Sequence, residues 1–278
     1  MAEQLTRKEL LTQSAKYAAG LVVGGAGIDM LLRNKGLGAA AAAAWPWPYQ
    51  ALDVEKMRIL GHDLYYDNAN GGGCGYGAFG AIIQGLKEAV GDPYTTLPPQ
   101  LMYFALGGAA SWGTLCGALN GASAAISLVC DKTACSQLVS ELIGWYTQTK
   151  LPSDLSNSLG VASAYGVNKV TAALPNSVSG SALCHVSVSR WSEAASVAVS
   201  DAQRAERCAR LVGDTVAYAV QILNDHFSAK FLPSYVAPAD VAICGSCHTS
   251  TDTYPPSTNG KMECVQCHQA PHREDSGT

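Results

Sequence analysis

A mainly α-helical protein, closed by a small irregular C-terminal region, is the fold that this sequence predicts. Three observations carry the prediction. Apolar residues recur at helical spacing through most of the chain before Pro233, and no stretch alternates apolar with polar residues as a half-buried strand would. From Pro233 onward, Pro238, Pro255-Pro256 and Pro271 break up a tail that holds few large apolar residues. The chain has 278 residues, 48% hydrophobic and 14% charged, enough to bury one sizeable core. A formal charge of −4, with no basic run beyond the extreme N-terminus, leaves no electrostatic footprint for nucleic acid. The expected organisation is a leader over 1–44, a helical domain over 45–232 and the irregular region over 233–278.

The leader has the three-part form of an export signal. A polar start, Thr6-Arg7-Lys8-Glu9, precedes an apolar stretch from Tyr17 to Ile28 and then the alanine run Ala39 to Ala44, near whose end cleavage is expected. Arg7-Lys8 resembles a twin-arginine signal with Lys in second place. A bilayer-spanning helix needs roughly 20 apolar residues, and this stretch is shorter, stopped by Asp29 and Arg33. A periplasmic or extracellular protein without a permanent membrane span is therefore expected; the competing reading is a buried N-terminal helix. Trp45-Pro46-Trp47-Pro48 reads as an exposed linker.

Helices follow in order. Leu52 to Leu60 is short and ends near Gly61-His62; Ala78 to Val90 is stopped by Gly91-Asp92-Pro93; a further helix spans about Pro99 to Leu106. Gly71-Gly72-Gly73 breaks regular structure where something approaches the backbone closely. Gly113 to Val129, small and apolar on all sides, is the candidate central helix. Cys135 to Thr147 and Ala194 to Asn224 complete the set, the latter with Arg204, Glu206, Arg207 and Arg210 read as a wetted face.

Ten cysteines are too many for an ordinary domain of this size. Four form Cys244-Gly245-Ser246-Cys247-His248 and Cys264-Val265-Gln266-Cys267-His268. CxxCH is the attachment signature of c-type haem: two thiols form thioethers, and the next His ligates the iron. Two covalent haems are expected, with His248 and His268 as axial ligands. A redox dithiol or a four-cysteine zinc site is the alternative, but zinc requires nothing at His248 and His268. For the second axial position the chain offers His62, His185, His226 and His272. Met262 is poorly placed, and Met57 and Met102 read as core. His272 is first choice, for the neighbouring haem or one in a partner subunit, and His62 is second.

Six cysteines remain. Cys74 sits in GGGCGYG and Cys116 in LCGALNG, where glycines admit a bulky group; Cys184 and Cys208 complete a scattered set of four suited to an iron–sulfur cluster. The competing reading is buried thiols or disulfides. Cys130 and Cys135 read as a local disulfide or two unpaired thiols.

The pattern Cys74, then Cys116-Gly117-Ala118-Leu119-Asn120-Gly121, then Cys184-His185-Val186-Ser187-Val188-Ser189-Arg190-Trp191, then Arg207-Cys208 resembles the redox-active C-GCAxxG-C-C family. Joined to two C-terminal haem motifs, it is similar to the split-Soret cytochromes c, over about His62 to His272. The resemblance implies a largely helical homodimer with grouped, bis-His haems, one axial histidine contributed by the partner, and a cluster on Cys74, Cys116, Cys184 and Cys208. The chain departs from the pattern at Ser192, a position often occupied by cysteine in that family. The expected function is electron transfer with redox partner proteins; a reductase with an open iron position, and a polymer joined through stacked haems, are the rivals.

Overall fold

The computed structural model describes residues 43–248, 260–266 and 268, with the side chain of Cys247 not described. The leader and His272 therefore lie outside the described residues. The chain forms α1 (Val54–Tyr65), α2 (Gly73–Ala89), two 3-10 turns (Tyr94–Thr96 and Pro99–Ala105), α3 (Gly117–Val129) and α4 (Lys132–Gln148). Then come β1 (Lys150–Leu151), α5 (Asp154–Val161), β2 (Ser177–Val178), α6 (Cys184–Ala195), α7 (Ala202–Phe227) and α8 (Ala239–His248). The two strands pair antiparallel as a two-residue clip.

Polar caps set several helix starts, because the first N–H groups of a helix lack internal acceptors. Asp53 accepts from Lys56 N, Asp131 from Ala134 N, Ser153 from Ser156 N and Asp201 from Gln203 N. The glycine run expected to interrupt structure instead launches α2. Gly72 and Gly73 take φ of 60° and 83°, which places Cys74 in the first turn. What comes close there is the Tyr103 ring over Gly71 and the Leu106 side chain against Gly73.

The expected single helix from Ala194 to Asn224 is two helices. Ser196 caps α6 in the left-handed conformation, φ 54°, and Asp201 restarts the chain as α7. The hub is α7 rather than Gly113–Val129: α7 packs against α1, α2, α3, α4 and α5. Close approach of α2 and α3 depends on glycine, since a Cβ at Gly121 would stand 2.9 Å from Phe79 N. The Trp-Pro-Trp-Pro segment is docked, not free. Trp45 Nε1 donates to Ser127 O at 2.7 Å, Trp47 N to Leu128 O at 2.8 Å, and the Trp47 and Tyr94 rings meet edge-on at 5.3 Å.

The C-terminal region is tied to the bundle through one buried carboxylate. Glu141 on α4, 3% exposed, accepts from Ser234 N and Tyr235 N at 3.0 Å each, from Ser234 Oγ at 2.5 Å and from Tyr218 Oη at 2.9 Å. Tyr235 then lies over Gly144, and Gln148 Nε2 donates to Val236 O at 2.9 Å. Further on, Gln266 Nε2 reaches Gly180 O at 2.6 Å and Lys261 Nζ reaches Ser140 Oγ at 3.0 Å. No described helix is long and apolar enough to cross a membrane.

Burial acts to raise the Glu141 pKa, but its four donors outweigh burial and hold it below the ordinary carboxylate value. Its contribution to stability is therefore complete above about pH 4.3, the unfolded value, and is lost as pH falls through the folded value. Glu141→Gln is expected to destabilise the protein at pH 7 by about 2–3 kcal/mol, the scale of a charged hydrogen bond. Urea titrations at pH 7 and pH 3.5 should show that difference shrinking in acid.

Candidate redox site

Four cysteines from four distant places in the sequence meet in one buried region. Cys74 lies in the first turn of α2, Cys116 caps α3, Cys184 is the first residue of α6 and Cys208 lies in the second turn of α7. The convergence has a backbone cause. Leu115 and Leu183 form an antiparallel bridge, flanked by Cys116 N donating to Ala182 O at 2.9 Å and Cys184 N to Thr114 O at 2.7 Å. That bridge fixes the starts of α3 and α6 side by side. Gly117 brings the third member in, because its missing side chain leaves room for Cys74, whose Cβ would be 2.8 Å from a Cβ there.

The thiols sense one another. Cys74 and Cys208 share a hydrogen bond that pushes the Cys74 thiol up and draws Cys208 down, with Arg207 and Arg204 adding to the depression at Cys208. Burial pushes Cys116 up, and pushes Cys184 up to about 12, with each of these two also facing the Cys208 charge. The net pull draws negative charge toward Cys208.

Around the thiols stands a polar wall that the sequence reading missed. Arg207 is 2% exposed and lies against Cys208, Cys116 and Tyr146. Its Nη2 donates to Ser187 Oγ at 2.8 Å, and Tyr146 Oη donates to the same oxygen at 2.8 Å. The expected wetted face of α7 is thus interior at Glu206, Arg207 and Arg210, which are 1%, 2% and 0% exposed. Charges were taken as a sign of solvent, but each has a partner across the bundle. The signal that could have located Arg207 is its place directly before a cysteine.

The donors suit iron: soft thiols, three of them buried and Cys184 half-buried, beside a fixed positive charge. Among the described residues no three His, Cys, Asp or Glu side chains are gathered tightly enough to hold a single metal ion. Arg207 Nε is buried without a hydrogen-bond partner. A region framed by four thiols with an orphaned donor fits a larger anionic group.

His62, an expected axial candidate, is fully buried, with Nδ1 at 3.0 Å from Asp63 Oδ1 and Nε2 at 3.1 Å from Glu206 Oε1. Its ring stacks on Tyr165 at 3.6 Å. Both ring nitrogens are engaged, so His62 has none to offer an iron, and it serves the core. His185 is exposed, one residue beyond Cys184. His226 lies half-buried in the last turn of α7, edge-on to Phe227. Cys130 and Cys135 are free thiols, the latter 3.2 Å from Ser127 Oγ.

In the C-terminal region the first motif rides on α8, with Cys244 and His248 half-buried. The second is a turn in which His268 N donates to Cys264 O at 3.0 Å. Cys264 and Cys244 hydrogen-bond to each other, so the leading cysteines of the two motifs are neighbours. The side chains of Cys247 and Cys267 and all of His272 lie outside the described residues.

A helical redox protein with thiols gathered at helix starts is the class that this fold and site define. The profile of the family described as "Putative redox-active protein (C_GCAxxG_C_C)" matches residues 78–222. A split-Soret cytochrome c from Desulfovibrio desulfuricans is 36% identical over 219 residues, 78% of this chain and 75% of the relative. The solved structure of split-Soret cytochrome c from that organism, described as containing a novel iron centre, superposes with a TM-score of 0.70 at 34% identity. It covers 81% of this chain and 91% of its own. The chain belongs to the split-Soret cytochrome c family.

Two outcomes are expected. Gly117→Ala should cost about 1–3 kcal/mol by overpacking, read by urea unfolding, because its Cβ would run into Ala105 O and the Cys74 side chain. For His62, burial works to lower the pKa, but Asp63 and Glu206 hold it above the ordinary imidazole value. Its ion pairs therefore stabilise fully below about pH 6.5, and that contribution is lost as pH rises through the raised folded value. His62→Phe should lose about 1–3 kcal/mol near pH 6 by removing one charged hydrogen-bond partner from Glu206, which keeps Arg210 and Tyr66, while the visible absorption spectrum stays that of the wild type.

Proposed function

We propose that this chain is an exported di-haem c-type cytochrome that transfers electrons and also carries an iron–sulfur cluster. The observation that carries the reading is the meeting of Cys74, Cys116, Cys184 and Cys208 in one buried region, in a chain whose two CxxCH motifs have adjacent leading cysteines. The description of an iron centre in the similar solved cytochrome supports it.

In this reading the four scattered thiols hold the cluster. Cys244 with Cys247, and Cys264 with Cys267, attach the two haems, and His248 and His268 ligate their irons. When bound, haem and cluster each supply a centre that accepts and returns single electrons. The chain's own residues hold and insulate these centres: the α2, α3, α6 and α7 starts fix the thiols, and buried Tyr146 and Ser187 stand beside them. Glu141 anchors the base of the haem-bearing region. The second axial ligands are assigned to His272 and His185, either within the chain or across a homodimer. Exposed Leu232, Val236, Ile243 and Val265 in the C-terminal region support covering by haem or by a second subunit. Residues 1–44 act as the export leader, and delivery is to the periplasm or beyond, where redox partner proteins exchange electrons with the haems.

The test is a haem and metal count on the native protein. Two covalent haems by pyridine haemochrome, with iron in excess of two per chain and a non-haem signal in electron paramagnetic resonance, are expected. Iron equal to haem would remove the cluster, and zinc without a haem spectrum would overturn the cytochrome. Cys264→Ser with Cys267→Ser should halve the covalent haem content and leave the non-haem signal intact.

A further inference from the structure

Arginines 207 and 210 leave the same helix one turn apart, both in the interior, and their surroundings differ. Arg210 is compensated: its Nε donates to Glu206 Oε1 at 2.9 Å, and its Nη atoms donate to Asn157 Oδ1, Ala172 O and Val170 O at 2.8, 3.0 and 2.6 Å. Arg207 forms no ion pair with a carboxylate among the described residues. Ser187 Oγ takes one N–H, the Cys208 thiol is a second hydrogen-bond partner, Nε has no partner among the described residues, and Cys116 and the Tyr146 hydroxyl lie alongside.

A guanidinium cannot shed its proton to escape burial. A buried charge without a counter-charge is costly enough that folded proteins pair it or do without it. Arg207 is sealed as completely as Arg210, so its counter-ion has to lie where it points, among the thiols. A single thiolate balances it in charge but leaves Nε–H unused. A cluster carrying several thiolates and inorganic sulfide supplies both the excess negative charge and a further acceptor atom.

We propose that Arg207 is the counter-ion and hydrogen-bond donor of the iron centre, a positioning residue that raises the centre's reduction potential. The inference rests on the cluster reading given above. Adding an electron makes the centre more negative, and a fixed positive charge in a dry, low-dielectric interior stabilises that state over the oxidised one. Ser187 holds the guanidinium: Arg207 Nη2 and Tyr146 Oη both donate to Ser187 Oγ.

The test is a redox titration of full-length native protein, following the non-haem centre by electron paramagnetic resonance and the haems by visible absorption in the same samples. Arg207→Gln is expected to lower the non-haem potential so that the reduced-to-oxidised ratio at fixed potential falls tenfold or more, about 59 mV for one electron, with haem potentials unmoved. Arg207→Lys, which keeps the charge and loses the fork, is expected to recover most of the shift. A second readout is urea stability with and without the non-haem iron: Arg207→Gln should weaken the iron-loaded protein and spare the stripped one. A centre present in Arg207→Gln at the wild-type potential, or equal destabilisation of loaded and stripped protein, would overturn the proposal and leave the cluster reading standing. If Arg207→Gln fails to keep the centre, Arg207→Lys decides: retention supports the charge role and loss refutes it. A wild-type protein without non-haem iron sinks the cluster reading and this inference together.

Discussion

The fold depends on how α7 disposes of its buried charges. Glu206, Arg207, Arg210 and Asp214 all lie on the interior side of this helix, each at 2% exposure or less. A charged group in that position must be met by a partner, and each partner fixes another element. Asp214 takes Arg58 from α1, and Ser153 Oγ at 2.6 Å and Ser156 Oγ at 2.7 Å from the start of α5. Glu206 takes His62 from α1 and Tyr66 just beyond it. Arg210 gathers the carbonyls of Val170 and Ala172 and thereby orders the connection after α5. Arg207 turns to α6 through Ser187. The apolar packing of α2 and α3 fills the space these pairs define; the pairs choose which helix stands where.

This accounts for what could and could not be read in the sequence. Helices with a continuous apolar face were legible: Ala78 to Val90, Pro99 to Leu106 and Cys135 to Thr147 all fall within or against observed helical turns. The mainly α class followed from them. The errors cluster where polar residues are interior. Arg207 and Arg210 looked wetted because charge signals solvent when no partner is visible, and the partners sit far away in the sequence. α5 was missed because its buried side is Ser156 and Asn157, which carry no apolar period. The break between α6 and α7 was missed because Ser196 adopts a left-handed backbone that glycine or asparagine would have announced. Trp45 to Pro48 looked like a linker, since nothing local reveals that Ser127 O and Leu128 O wait on α3.

The candidate site was legible in its parts. CxxCH is a local signature, readable wherever the chain places it. The four scattered cysteines were grouped by their glycine-rich surroundings and above all by family resemblance, because their association is made by the Leu115–Leu183 bridge and the Gly117 contact, neither of which has a sequence period. His62 shows the opposite failure. Histidine is the residue expected to ligate haem iron, but the adjacent Asp63 and the distant Glu206 claim both nitrogens. Asp63 is itself held in place by accepting from Gly166 N and Val167 N at 2.9 and 3.1 Å.

The arrangement also bears on what kind of redox protein this is. A substrate-transforming site needs an opening through which a molecule reaches the reactive atoms. Cys74, Cys116 and Cys208 are buried beside Tyr146 among the packed helix starts, and Cys184 is half-buried. The open cleft beside α5, lined by Asp154, Asn157, Leu174 and Asn176, holds none of the four cysteines. Electrons, unlike substrates, need no opening; they need short distances through packed protein and a fixed electrostatic environment that does not reorganise on reduction. In the role proposed for it, Arg207, hydrogen-bonded to Ser187, would supply such an environment.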